Sequence, residues 1–147
     1  MLKILIPVDG SERSLDAVRH ALQLTGAGLK ARFVVANVQS PANLYELVVA
    51  HDPQVLQQVS EAAGRDLVRP AVQLLQAAGL QVEQDVATGD PAQTLVEILE
   101  RHACGAVILS AHGGSGDHTQ LGSVAHELVQ IAPVPVTVVR TQGPGDD

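Results

Sequence analysis

The chain has 147 residues, enough for one domain with a substantial core and short for two. Its residues are 46% hydrophobic but only 1% aromatic, so the core must come from Val, Leu, Ile and Ala, the usual filling of parallel sheets covered on both faces. A net charge of −7, with nine scattered Lys and Arg, disfavours nucleic acid and anionic membrane as partners, and the single Cys104 excludes an internal disulfide framework.

The opening run M-L-K-I-L-I-P-V-D-G is too short and lacks the cleavage site of a signal peptide. No segment reaches the length needed to span a bilayer, so a cytoplasmic location is expected. Leu2 to Val8 reads as a strand, with Pro7 near its end because it removes one ladder donor. Asp9-Gly10-Ser11 turns the chain, and Leu15, Val18, Ala21 and Leu22 then recur at helical spacing. Ser11 is a candidate N-cap, and Gly26 and Gly28 mark the helix end.

Arg32 to Val38 predicts a second strand. Ala42 to Ala50, which includes Tyr45, is a helical segment that could form a flap over the sheet. Pro53 to Ala78 predicts a longer helix with an apolar stripe of Val55, Leu56, Val59, Ala62, Ala63, Leu67, Ala71, Leu74 and Leu75. Pro70 is expected to kink or restart it, and Gly79 to end it.

Leu80 to Ala87 alternates in the manner of an edge strand. Asp90 at N-cap and Pro91 at the first helical position introduce a helix from Ala92 to His102. A fourth strand, Ala106 to Leu109 or Ser110, leads into a loop carrying Gly113, Gly114 and Gly116, and a helix follows from Ser123 to Ile131. Val134 to Arg140 is the last strand, and residues 142–147 read as a disordered tail after a single domain of residues 1–141.

Strands alternating with helices predict a doubly wound α/β sheet, whose ligands bind outside the carboxyl ends of the strands where the strand order reverses. A glycine loop between a strand and a helix start has the layout of a phosphate cradle, because backbone N–H groups can approach an anion there. The competing reading is a tight solvent-exposed turn. A P-loop is excluded, since no Gly-Lys-Ser or Gly-Lys-Thr occurs and the loop holds no Lys or Arg. His112, Asp117, His118 and His126 are close in sequence but match no zinc spacing, so no metal site and no catalytic residue is assigned.

Several stretches together resemble the universal stress protein family: I-L-I-P-V-D-G-S-E-R-S, V-V-A-N-V, G-D-P-A-Q-T-L-V-E-I, S-A-H-G, G-S-V-A-H-E-L-V and P-V-P-V-T-V-V-R. The resemblance implies an adenine nucleotide alpha-hydrolase-like fold with a five-stranded parallel sheet of order 3-2-1-4-5. It also implies a homodimer through the last strand, around Val136 and Val138. In the nucleotide-binding branch of that family, ATP sits on a loop of pattern Gly-x-x-Gly, nine residues, Gly-Ser or Gly-Thr. Carried over, this implies a nucleotide site of Ser110, His112, Gly113, Gly122 and Ser123, with Asp9 and Val38 near ribose and adenine and Pro7, Val8, Leu109 and Val124 lining it.

This chain departs from that pattern at two points. Ser110 stands in place of the first glycine, which requires either that φ there is not positive or that a cost of about 1 kcal/mol is met, and eight residues separate Gly113 from Gly122. The implied role is a dimeric ATP-binding stress sensor or adaptor, with magnesium or manganese bridging the phosphates and at most slow hydrolysis. The alternative is a nucleotide-free member acting only as a dimeric interaction module.

Overall fold

Leu2–Pro7 forms β1, and its side chains sort to two sides. Ile4 and Ile6 enter one buried cluster and Leu5 another, as the two-residue repeat of a strand requires. The same division continues along β2 (Ala31–Gln39), where Phe33 and Val35 oppose Val34 and Ala36. The computed structural model describes residues 1–40, 53–112 and 121–141. The expected segment Ala42 to Ala50 with Tyr45, the loop residues Gly113, Gly114, Gly116, Asp117 and His118, and the tail 142–147 lie outside the described residues.

Three further strands, β3 (Val82–Thr88), β4 (Ala106–Ser110) and β5 (Val136–Val139), complete a parallel five-stranded sheet of order β3-β2-β1-β4-β5. The described helices cover both faces. On one side α1 (Leu15–Gly26) and α2 (Pro53–Ala77) contribute Ala17, Val18, Ala21, Val68, Ala71 and Leu75 to the first cluster. On the other, α3 (Pro91–Arg101) and α4 (Ser123–Ile131) contribute Leu95, Ile98, Leu99, Ala125 and Leu128 to the second. Among the described residues Phe33 is the one Phe, Tyr or Trp in this core, so aliphatic packing carries it.

Boundaries differ from the sequence reading where a particular group intervenes. β5 begins at Val136 rather than Val134, because Pro135 has no N–H and joins the sheet only through its carbonyl, which accepts from Val107 N–H at 2.9 Å. Ser11 caps a tight turn ahead of α1: Ser14 N–H donates to Ser11 Oγ at 3.2 Å, and the helix starts at Leu15. Asp90 caps α3 as expected, accepting Gln93 N–H at 3.2 Å, with Pro91 beginning the helix.

The apolar stripe of α2 is corrected. The helix runs unbroken through Pro70, and its buried face is Ser60, Gly64, Val68, Ala71 and Leu75, whereas Ala62 is exposed and Val59 and Leu74 are more than a third exposed. Small residues let this helix lie close on the sheet. A Cβ at Gly64 would collide with Val86, and buried Ser60 satisfies its hydroxyl on Thr88 Oγ1 at 2.8 Å.

Three of the described helices end with the same device. The N–H groups of Leu29, Leu80 and Cys104 reach back to the carbonyls of Leu24, Leu75 and Leu99, and the preceding residue takes a positive φ. That residue is Gly28 (116°), Gly79 (79°) and, after α3, Ala103 (55°). Cys104 follows buried at the strand end remote from the glycine loop, and burial pushes its thiol above the ordinary 9.0.

Candidate functional site

The order of the sheet reverses between β1, which leads on to β2, and β4, which leads on to β5. Outside the carboxyl ends of these strands opens a cleft of about 460 Å³. Its lining includes Pro7, Val8 and Asp9 from the end of β1, Val38 from β2, Leu109, Ser110 and His112 from the end of β4, and Gly122, Ser123 and Val124 from the start of α4. Every site residue expected from the sequence therefore borders this cleft except Gly113, which lies outside the described residues. The lining also holds Ser14, Ala36, Pro91, Leu95, Ala111 and Ala125, which the sequence reading did not single out. Strand alternation could have found Ala36, since it shares a face with Val38. Pro91 and Leu95 follow from placing the capped start of α3 at the same end of the sheet.

The chain leaves β1 under several constraints. Pro7 still pairs with Ala36, and Val8 N–H donates to Ala36 O at 2.9 Å. Asp9 then folds its carboxylate back to accept Ser11 N–H at 2.9 Å, an Asx turn, and Gly10 takes φ 86° where a Cβ would strike Leu67. Asp9 itself is exposed at the cleft mouth.

Ser110 has a specific job at the loop's first position. Its hydroxyl donates to Arg13 O at 2.8 Å and accepts Ala17 N–H at 3.2 Å, so β4 supplies from a distance the cap that α1 lacks at Ser14. Among the described non-glycine residues only Ala103 has a positive φ, so Ser110 sits without the strain that a required glycine would imply.

The ends of the glycine loop meet directly: Gly122 N–H donates to Ala111 O at 2.7 Å. Gly122 is the N-cap of α4, with no side-chain cap, and the first helical bond runs from His126 N–H to Gly122 O at 2.9 Å. The positive end of a helix dipole thus borders the cleft, and its N-cap residue brings no side-chain oxygen of its own. His112 is buried beside it at 5% exposure.

Pro7, Val38, Leu95, Leu109 and Val124 make part of the cleft apolar, whereas Asp9, Ser14, Ser110, His112 and Ser123 provide polar atoms. Its described lining carries no Lys or Arg. Among the described residues, no three His, Cys, Asp or Glu side chains gather to hold a metal, and exposed His126 pairs with Gln130 at 3.2 Å. No helix among them is long and apolar enough to cross a membrane.

A sequence model of the universal stress protein family matches residues 1–140. Universal stress protein MJ0531 of Methanocaldococcus jannaschii is 25% identical over 139 residues, covering 94% of this chain and 81% of that protein. Universal stress protein YxiE of Bacillus subtilis is 27% identical over 146 residues, covering 94% and 98%. Among solved structures, hypothetical protein MJ0577 superposes with a TM-score of 0.77 at 20% identity, covering 97% of each chain. A universal stress protein family member from Arabidopsis thaliana with AMP bound superposes with a TM-score of 0.71 at 18% identity, covering 99% of this chain and 97% of that one. A universal stress protein in complex with cAMP does so with a TM-score of 0.66 at 24% identity, covering 96% and 98%. These likenesses establish the fold.

Proposed function

This chain belongs to the universal stress protein family, and from that premise we propose that its cleft binds an adenine nucleotide, ATP in the first instance, and that the protein works as a dimeric sensor or adaptor. The observation that carries the reading is the convergence of Pro7, Val8, Asp9, Val38, Leu109, Ser110, Gly122 and Ser123 on one cleft at the reversal of strand order. Apolar walls suit a base, Asp9 suits ribose hydroxyls, and the uncapped start of α4 suits a phosphate. That related folds hold AMP and cAMP supports the same ligand class.

With no Lys or Arg in the described lining, a triphosphate would bring magnesium or manganese on its own oxygens, because the described side chains offer no metal site of their own. The same lack of a cation to stabilise charge on a departing phosphate makes the site a binder, with hydrolysis at most slow.

The dimer is proposed through β5. Val107 N–H bonds to Pro135 O and Ala111 N–H to Val139 O, so alternation turns the N–H and C=O groups of Val136 and Val138 to the open edge. Their side chains pack against the second core, so charges placed there would damage the protomer itself. Val138→Pro removes one outward donor instead, and should shift the protein toward monomer in sedimentation velocity; an unchanged dimer would place the interface elsewhere.

Calorimetry of nucleotide-free protein with ATP, with and without magnesium, tests the site. Binding at micromolar affinity or tighter bears the reading out. The cation-free lining favours a second reading, a member that acts only through its dimer surface, and absence of any adenine nucleotide binding would select it.

A further inference from the structure

We infer that Asn37 is a positioning residue for the cleft, acting through the carbonyl of Val8; the inference rests on the nucleotide reading above. Asn37 is 4% exposed on β2. Alternation puts its side chain on the face of Phe33 and Val35, opposite the face where Ala36 and Val38 line the cleft. Its Nδ2 donates to Val8 O at 2.9 Å, one residue past the end of β1. Val8 borders the cleft while its own side chain lies in the core under α1 and α2, so its main chain is the part a ligand can meet.

The other half of the amide makes the case. Asn37 Oδ1 is buried and, among the described residues, has no hydrogen-bond partner. An unmet buried acceptor is a standing penalty, which a leucine of similar size at this position would avoid, as Phe33 and Val35 on the same face avoid it. What the amide supplies in return is a single bond, which together with the Val8 N–H bond to Ala36 O sets where the chain leaves β1. From there the path to Asp9 is set by its own turn to Ser11 and by Gly10 beneath Leu67. Asn37 therefore holds the first link of a short rigid path that ends on the cleft's carboxylate, without touching the ligand.

The test compares wild type with Asn37→Leu and Asn37→Asp. Leucine cannot donate, and it removes the unmet acceptor. It should weaken binding of magnesium-ATP about tenfold, on the scale of one hydrogen bond, while the melting temperature changes little, since the unmet Oδ1 it removes offsets the donor it takes from Val8 O at the cleft. A merely structural asparagine would lose stability and affinity together. Aspartate donates only when protonated, so Asn37→Asp should bind more weakly than wild type at about pH 8 and recover toward it near pH 5. In ligand-free protein, the amide resonances of Asp9 and Gly10 should move in both variants. Wild-type affinity in Asn37→Leu together with unmoved Asp9 and Gly10 resonances would overturn the inference. Should Asn37→Leu fail to fold, a flat pH profile in Asn37→Asp would overturn it. Failure of wild type itself to bind any adenine nucleotide defeats the site reading instead, and the ligand-free resonances then decide whether Asn37 still sets the loop.

Discussion

Ser110 at the end of β4 caps Ala17 in α1, its Oγ accepting the Ala17 N–H at 3.2 Å across a sequence separation of 93 residues. The same hydroxyl donates to Arg13 O at 2.8 Å, so one side chain satisfies two main-chain groups at a helix start. Ser110→Ala should cost about 1–2 kcal/mol in urea denaturation, the worth of a lost cap. Ser110→Gly should cost roughly 0.5–1 kcal/mol more, because glycine adds backbone freedom to a strand. A glycine variant as stable as wild type would mean that the position needs conformational freedom more than it needs the hydroxyl.

Gly64 shows how close approach outweighs helix propensity. Alanine is favoured over glycine within a helix by about 1 kcal/mol, yet its methyl at this point of α2 would run into the side chain of Val86 on β3. Overpacking of this kind costs typically 1–3 kcal/mol, so Gly64→Ala should be destabilising on balance. Adding Val86→Ala should restore part of the loss, and the coupling between the two changes in a double-mutant cycle measures the collision. Additive effects would place α2 further from the sheet.

Ala103 holds φ at 55°, in the turn where α1 and α2 use Gly28 and Gly79. The left-handed region costs an alanine roughly 1–2 kcal/mol, and Ala103 is exposed, so its methyl supports little packing. Ala103→Gly should raise the urea midpoint by the equivalent of about 1 kcal/mol. A neutral or lower midpoint would count against the strained cap.

These positions show what the sequence carried plainly. Periodicity and capping residues located the strands and the described helices, because Asp90-Pro91, Gly28 and Gly79 act within a few residues of themselves. The cleft was legible to the same degree: Asp9 punctuates a strand end and Gly122 a helix start, and both border the reversal of the sheet. What escaped depends on distant partners. The buried face of α2 was misassigned because Ser60 and Gly64 score as polar and as a helix breaker, although their small size is what lets the helix seat. Ser110 read as a departure from a glycine pattern, and only α1 explains it. Asn37 left no local signal, since its donor serves another strand.

Cys104 should be chemically silent in the native state. Burial raises its thiol above the ordinary 9.0 and leaves it 5% exposed, so at neutral pH it is neither thiolate nor accessible. A disulfide reagent should label it only as the protein unfolds in urea. Because the folded-state value is the higher one, the group favours folding below pH 9.0 and that contribution is lost as pH rises toward the folded value. Stability should therefore fall more steeply above about pH 9 in wild type than in Cys104→Ala. Rapid labelling of folded protein would show that this end of β4 opens readily.

Gly122 separates fold stability from ligand binding. It is the N-cap of α4 at φ −61° and ψ 160°, a conformation open to any residue, yet it brings no side-chain acceptor. Aspartate there is among the best caps, and its charge suits the helix dipole, so Gly122→Asp should keep or raise the melting temperature by the equivalent of a few tenths of a kcal/mol. The same carboxylate would occupy the first-turn N–H groups and repel a phosphate, so ATP affinity should fall by about tenfold or more, one like charge at close range in a partly dry site. Gly122→Asn, a cap of the same shape without the charge, should lie between. If Gly122→Asp bound ATP as tightly as wild type, the phosphates would not meet the start of α4, and the convergence of β1, β4 and α4 on this cleft would need another ligand.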